Sequence, residues 1–387
     1  MQPVTSIDSA RPKALEFFAG IGLARRGLES TGFRVTWAND YETKKLEIYE
    51  KNYVPTLDHQ FVLGDISNVS GKDLPQGASL AWASSPCTDL SLAGTRAGLA
   101  GKQSGTFWHF VRILEELGKG KPPVVVLENV VGLATSHGGD DLAEAICAFN
   151  RLGYSVDVLS IDARRFTPQS RPRLFLIGAL NPPADVAEPN SELRPDWLQW
   201  VFGDDRLITH RAELPTPPAP LLEGFGKITE QIEKTDERWW NTERTKKFID
   251  SLSSTQLERV TEMKRSSGIK YRTAYRRTRN GKPTWEVRAD DIAGCLRTAR
   301  GGSSKQAVVR LGNNQLQVRW MTPLEYARLM GAGDYDLSGL KDNQILFGFG
   351  DAVVVPVVEW LAENYLVPLV NQSSQAKSMD FRKVKNG

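Results

Sequence analysis

Seven short apolar runs, separated by stretches with helical periodicity, fill the first 180 residues and restrict the possible folds more than any other feature. They are ALEFFAG (14 to 20), RVTWAND (34 to 40), FVLGD (61 to 65), SLAWASSP (79 to 86), PVVVLENV (123 to 130), YSVDVLSI (154 to 161) and RLFLIGAL (173 to 180). Between several of them lie amphipathic segments such as TFWHFVRILEELG (106 to 118) and DLAEAICAFNRLG (141 to 153). Apolar strands alternating with helices require a sheet covered on both faces. The pattern predicts an α/β fold with a Rossmann-like, doubly wound and mostly parallel sheet. Ligands of such sheets bind in the crevice outside the carboxyl ends of the strands.

After NPPADVAEPN the pattern gives way to a Pro-rich, Trp-containing and then basic region reaching about residue 320. A chain of 387 residues favours two domains over one. Between Lys264 and Arg310 thirteen Lys or Arg face three acids, although the whole chain carries only +3. Tyr271, Tyr275 and Trp285 lie among those charges, a mixture suited to nucleic acid and less typical of a merely solvated face. Helical signals return at TPLEYARLMG, where Thr322 can cap and Pro323 can occupy the first turn. FGFGDAVVVPVVEWLAENYL is a turn followed by an apolar run that can be helical despite Pro356, and NQSSQAKSMDFRKVKNG is a polar tail. No apolar run reaches membrane-spanning length and MQPVTSIDSARPK lacks the apolar core of a signal peptide, so the expected location is the cytoplasm. Three cysteines at wide spacing, with no CxxC pair, argue against a disulfide framework and a zinc site.

The strand ends carry the chemistry. The first run closes in a glycine turn, Phe18-Ala19-Gly20-Ile21-Gly22, that opens a helix and lets backbone approach a ligand. The full GxGxxG fingerprint is not present. Asp40 ends the second run, where a carboxylate can hold ribose hydroxyls, and Asp65 ends the third, where it can meet an adenine amine with Ile66 against the ring. Each acid alone reads better as a helix cap or loop carboxylate. At consecutive strand ends they suit an adenosine-containing cofactor. The fourth run ends in Pro86-Cys87 and the fifth in Glu128-Asn129-Val130. A thiol and a carboxylate without histidine make a poor protease, but they suit addition to an electron-poor ring, with the thiolate attacking carbon and the acid protonating a ring nitrogen. Gln169, Arg171 and Arg173 alternate just before the seventh run, so on extended backbone they share a face and are expected to converge on the same crevice.

These residues carry a resemblance. FAGIG at 18 to 22, PC at 86 and 87, ENV at 128 to 130, QSRPR at 169 to 173, RWMTPLEYARLMG at 319 to 331 and GDAVVVPVV at 350 to 358 resemble the DNA cytosine-5 methyltransferases, in family order and across nearly the whole chain. The resemblance implies a cofactor-binding and catalytic domain (1 to 185 with 343 to 370), a target-recognition domain (186 to 342) and a tail (371 to 387). It implies S-adenosylmethionine as donor and double-stranded DNA as substrate. Cys87 would add to C6 of a flipped-out cytosine, Glu128 would hold N3 and the exocyclic amine, Arg173 would support Glu128 and the base, and Arg171 would assist near the nucleophile, with Asn129 and Gln169 completing the catalytic set. Cofactor contacts would come from the 18 to 22 turn, Asp40, Tyr41, Asp65, Ile66, Pro86, Phe107, Asp351, Ala352 and Val353. Thr88, Ser91, Arg297, Arg300, Gly301, Gly302 and Ser303 would touch DNA, the two arginines reading guanine or gripping phosphate. With catalysis and recognition in one chain, a monomer is expected.

Three positions depart from the family pattern: Thr88 where glutamine often follows Pro-Cys, Leu23 where a further glycine is usual, and Asp351 where asparagine normally follows glycine. Asp351 permits two readings. Either it meets the ammonium of S-adenosylmethionine or points elsewhere, or it repels the donor carboxylate and favours decarboxylated S-adenosylmethionine, with transfer of an aminopropyl group. Two further readings are a tRNA cytosine-5 methyltransferase and a DNA-binding protein that keeps the fold without the chemistry.

Overall fold

In the computed structural model, which describes residues 11–86, 105–186, 191–279, 281–298 and 305–375, the seven apolar runs become the strands of one sheet. They are β1 (Lys13–Phe17), β2 (Arg34–Asp40), β3 (Gln60–Leu63), β4 (Leu80–Ser84), β5 (Val124–Val130), β6 (Ser155–Asp162) and β7 (Pro172–Ala179), in the spatial order β3-β2-β1-β4-β5-β7-β6. β1 to β5 pair in parallel, whereas β7 runs antiparallel to both β5 and β6. The expected doubly wound sheet therefore contains one reversed strand. That reversal brings the start of β7 to the edge where the parallel strands end, with Arg173 opposite Val130 and Phe175 opposite Glu128.

Helices α1 (Leu23–Ser30), α2 (Thr43–Asn52), α3 (Thr106–Glu116) and α4 (Asp140–Arg151) follow strands as crossovers. They bury both sheet faces. Trp82, Val126 and Phe175 pack in one apolar cluster with Leu23 and Leu28, while Leu15, Val125 and Leu127 pack in another with Phe110, Ile113 and Phe149. Burial of each such side chain stabilises the fold by roughly 1.5–3 kcal/mol, which explains why these strands read as continuous apolar runs.

Short helices α5 (Trp200–Gly203) and α6 (Phe225–Ile228) lead to α7 (Thr242–Asp250), α8 (Ser254–Arg265) and a second, antiparallel sheet of β8 (Lys270–Arg279), β9 (Lys282–Val287), β10 (Ala307–Gly312) and β11 (Gln315–Trp320), ordered β11-β10-β8-β9. One face of this sheet, with Ala274, Trp285, Val309 and Val318, packs against Phe248 and Val260 of α7 and α8. From the other, Tyr271 and Val308 join the core of the larger sheet.

Helix α9 (Pro323–Leu329) starts as expected: Thr322 accepts from the Glu325 backbone, Glu325 accepts from the Thr322 N–H, and Pro323 needs no partner in the first turn. Pro356 likewise sits in the first turn of α11 (Val355–Leu361), which follows α10 (Asp342–Asp351). The helical stretch Asp342–Gln375 contains an 18-residue window of mean hydropathy 1.8, long and apolar enough by composition to cross a membrane, as a buried core helix also can be. Within the fold 67% of its apolar window is buried, and Val358 and Leu361 share the core with α1.

Candidate functional site

The glycine turn after β1 is built on unusual backbone. Phe18, Gly20 and Gly22 all have positive φ, at 58°, 58° and 81°. A side chain at Gly22 would meet the ring of Tyr53 at 2.5 Å, so glycine there serves packing as well as turning. Asp40, 5% exposed at the end of β2, ties this turn down: Oδ2 accepts from the Gly20 N–H at 2.8 Å and Oδ1 from the Glu42 N–H at 2.9 Å. Glu16, buried within β1, accepts from the Arg25 N–H at 3.0 Å and so fixes the first turn of α1. Burial pushes its carboxyl up to about 8, against the pull of that hydrogen bond.

Lys45, which the sequence reading did not single out, lies over this turn. Its ammonium stands 4.0 Å from Asp40 Oδ2 and 3.2 Å from Asp351 Oδ2. Burial alone would depress that ammonium, but Asp40 and then Asp351 reverse the effect and hold it above its ordinary value. Asp40 weighs more although it is farther away, because it is buried whereas Asp351 is exposed. The Thr298 hydroxyl donates to the other oxygen of Asp351. Thus Asp351 is already held by a cation and a hydroxyl, a pairing invisible in sequence because Lys45 is one of several charges in TKKLEIYE.

Asp65 is exposed and caps the short turn Ile66–Asn68 through its bond from the Ser67 N–H at 2.8 Å, a bond that lowers its pKa. Ile66 is buried, and Tyr41 is 51% exposed beside Asp40. Phe107 is a core residue at 1% exposure, in edge contact with Trp108 and Phe149.

The second part of the site lies where β4, β5 and β7 meet. Ser84 and Glu128 pair across β4 and β5. The Ser84 hydroxyl bonds Glu128 and accepts from Trp82 Nε1 at 3.0 Å. Arg173 Nε lies 3.1 Å from Glu128 Oε1. Burial raises the Glu128 pKa, and the nearby Arg173 and Arg171 only partly offset it. Asn129 turns its side-chain oxygen to its neighbour, accepting from the Val130 N–H at 2.8 Å. Pro86 follows β4, but Cys87, Thr88 and Ser91 lie outside the described residues.

The expected convergence of Gln169, Arg171 and Arg173 holds only in part. Gln169 is fully buried and acts as a clasp: its amide donates to Leu329 O at 3.0 Å and accepts from the Leu296 N–H at 3.0 Å. Arg171 also turns away from Glu128 with most of its donors, reaching Leu296 O at 2.8 Å, Cys295 Sγ at 3.2 Å, Gly350 O at 3.2 Å and Ala352 O at 2.7 Å. Arg173 turns a donor onto the carboxylate. The reason is local: regular strand begins at Pro172, so the alternation assumed from 169 onward does not apply to the irregular backbone before it. Cys295, another residue the sequence reading left unassigned, sits between the two guanidiniums. Burial raises its thiol, but Arg171 and then Arg173 override this and lower it. Gly350 allows the closeness, since a side chain there would meet Arg297 O at 2.5 Å. Val353 is buried in the core. Arg297 is exposed, and Arg300, Gly301, Gly302 and Ser303 lie outside the described residues.

Comparison with known proteins gives a consistent result. The profile of the family described as C-5 cytosine-specific DNA methylase matches residues 13–366. The type II methyltransferase M.Bsp6I of Bacillus sp. (strain RFL6) is 27% identical over 352 residues, spanning 90% of this chain and 96% of that protein. M.DsaV of Dactylococcopsis salina, also a type II methyltransferase, is 26% identical across 98% of this chain and 93% of its own length. Among solved structures, the Dnmt2 methyltransferase of S. pombe superposes with a TM-score of 0.59 at 17% identity, covering 93% of this chain and 99% of that one, and shares the fold.

Proposed function

The chain belongs to the C-5 cytosine-specific DNA methylase family and is a DNA (cytosine-5)-methyltransferase, and from that premise we propose how its residues divide the reaction. Cys87 is the nucleophile, Glu128 the acid at N3 of the target cytosine, and Arg173 the group that orients Glu128. The observation that carries this reading is the Glu128–Arg173 pair at the end of β5. It lies one strand from the segment leading into Pro86 and Cys87.

The chemistry follows from the protonation states. The Cys87 thiolate forms a bond to C6, and the displaced electron pair is taken up as N3 receives a proton. Glu128 is the donor of that proton, a role favoured by burial, which raises its carboxyl above its ordinary value. Arg173 then stabilises the carboxylate left behind. C5 of the resulting ring is electron-rich and takes the methyl group. Loss of the C5 proton, elimination of Cys87 as the thiolate and return of the N3 proton to Glu128 restore the aromatic base. C6 is hidden in a duplex, so the target must leave the stack, which requires a crevice and a second contact surface. The four-stranded sheet and its basic segment suit that surface, with 186 to 342 as recognition domain and Arg297 and Arg300 at the DNA.

S-adenosylmethionine, the donor implied by the family, supplies an electrophilic methyl group. The residues present fit it: a tight left-handed turn at Gly20, a buried acid at Asp40 and a neutralised pair at Lys45 and Asp351. The decarboxylated donor requires an uncompensated charge on Asp351. Lys45 supplies the compensation at 3.2 Å, which favours the ordinary donor.

Duplex DNA carrying 5-fluorocytosine at target sites tests the assignment. The wild-type protein is expected to form a denaturation-resistant adduct that Cys87→Ser cannot form. An adduct that survives this substitution overturns the assignment of Cys87, and absence of any adduct with the wild type favours the binding protein without chemistry. Competition by tRNA for methyl transfer decides between the nucleic acids.

A further inference from the structure

The face of the small sheet turned away from the larger one carries a concavity of about 250 Å³ that catalysis does not use. Its walls are indoles. The rings of Trp240 and Trp320 lie 5.1 Å apart, Trp240 and Trp285 5.7 Å, and Trp285 and Trp320 5.8 Å. Arg244 of α7 lies 4.1 Å from the Trp240 ring and 5.2 Å from that of Trp320, and Arg276 of β8 lies 5.5 Å from Trp285.

Three features distinguish this concavity from ordinary core. Its lining holds two arginines and Lys247 but no Asp or Glu. Neither guanidinium meets an acid among the described residues; burial and then the charge of Arg276 lower the pKa of Arg244. Two buried donors, Trp240 Nε1 and Arg276 Nε, have no hydrogen-bond acceptor among the described residues. Buried donors without acceptors are costly, and a packed apolar cluster has no need of adjacent cations. Clustered donors and positive charge beside flat π surfaces match a ligand that is anionic at one end and aromatic at the other. A methylated ammonium, the usual guest of an aromatic cage, would be repelled by the two guanidiniums.

We propose that this concavity binds a nucleotide, with its phosphoryl group at Arg244 and Arg276 and its base against the indoles. Base stacking on aromatic side chains combined with backbone phosphate contact is how proteins hold unpaired nucleotides. The site is separate from the Glu128 crevice, since the face of the small sheet that joins the main core is the opposite one. It therefore gives the protein a second hold on a nucleotide, independent of the target cytosine.

The full-length protein, saturated with S-adenosylhomocysteine to block the donor site, is titrated with 5′-deoxyadenylate, inorganic phosphate, deoxyadenosine and a short cytosine-free single strand. The paired substitution Arg244→Gln and Arg276→Gln is compared, its folding checked by circular dichroism. Deoxyadenylate is expected to bind more tightly than phosphate or the nucleoside, and the paired substitution to weaken it about tenfold or more. Tighter binding of the oligonucleotide, lost in the same variant, identifies a nucleic-acid strand as the occupant, whereas binding of the mononucleotide alone identifies a free nucleotide. Binding unchanged by the substitutions, or absent for both ligands, overturns the proposal.

Discussion

Lys45 and Asp351, from α2 and the end of α10, approach to 3.2 Å over the glycine turn, and Asp40 stands 4.0 Å from the same ammonium. A residue that in isolation would repel a donor carboxylate is thereby matched by a cation that is itself buried. The family pattern at this position is changed in chemistry, but the local charge is balanced.

Lys45→Met should uncover the charge of Asp351. We expect the KM for S-adenosylmethionine to rise roughly tenfold or more, since like charges juxtaposed at a site cost several kcal/mol, with a smaller change in kcat. Adding Asp351→Asn should recover most of that loss. Calorimetric binding of S-adenosylhomocysteine reports the same change without turnover, and equal binding by wild type and Lys45→Met would remove Lys45 from the donor site.

Burial raises the Glu128 carboxyl above its ordinary value. Single-turnover rates should therefore fall as pH rises through its elevated pKa, because the proton needed at N3 is lost. Glu128→Gln keeps the shape but has no such proton, and should slow methyl transfer by about 10²–10⁴-fold with little change in DNA affinity. A rate that rises across the same range would contradict the acid role.

Arg171 joins the 295–296 segment to the carbonyls of Gly350 and Ala352. Arg171→Lys cannot reproduce that planar set of donors and should lower stability by about 2–4 kcal/mol, read from urea denaturation. If stability is unchanged while activity collapses, the residue works directly on the base and not through the scaffold.

Glu16 gives stability its own pH dependence. Its carboxyl is pushed from an ordinary 4.5 to about 8 in the fold, so between those values the unfolded chain ionises while the folded chain stays neutral. The contribution is fully present below 4.5 and is lost as pH rises toward 8. Glu16→Gln should flatten that decline by a few kcal/mol at most, measured as the difference in unfolding free energy between about pH 5 and pH 8.5.

Much of this architecture is legible in the sequence because burial on both faces leaves a continuous apolar trace. RVTWAND and PVVVLENV became β2 and β5 almost residue for residue. The same trace hides direction: β7 is as apolar as its neighbours, and only pairing shows that it runs backwards. Asp40 and Glu128 could be found by their strand-end positions. Lys45 and Cys295 could not, because Asp351 and Arg171 lie far from them in the chain. Gln169 misled for a related reason: a period of two has meaning only within a strand, and its segment is not one.

The most direct test of the central claim is nucleoside mass spectrometry of duplex DNA incubated with the protein and, in parallel, with S-adenosylmethionine or its decarboxylated form. The account predicts 5-methylcytosine from the ordinary donor, absent with Cys87→Ser. No modified cytosine, or an aminopropyl increment formed only from the decarboxylated donor, would contradict it.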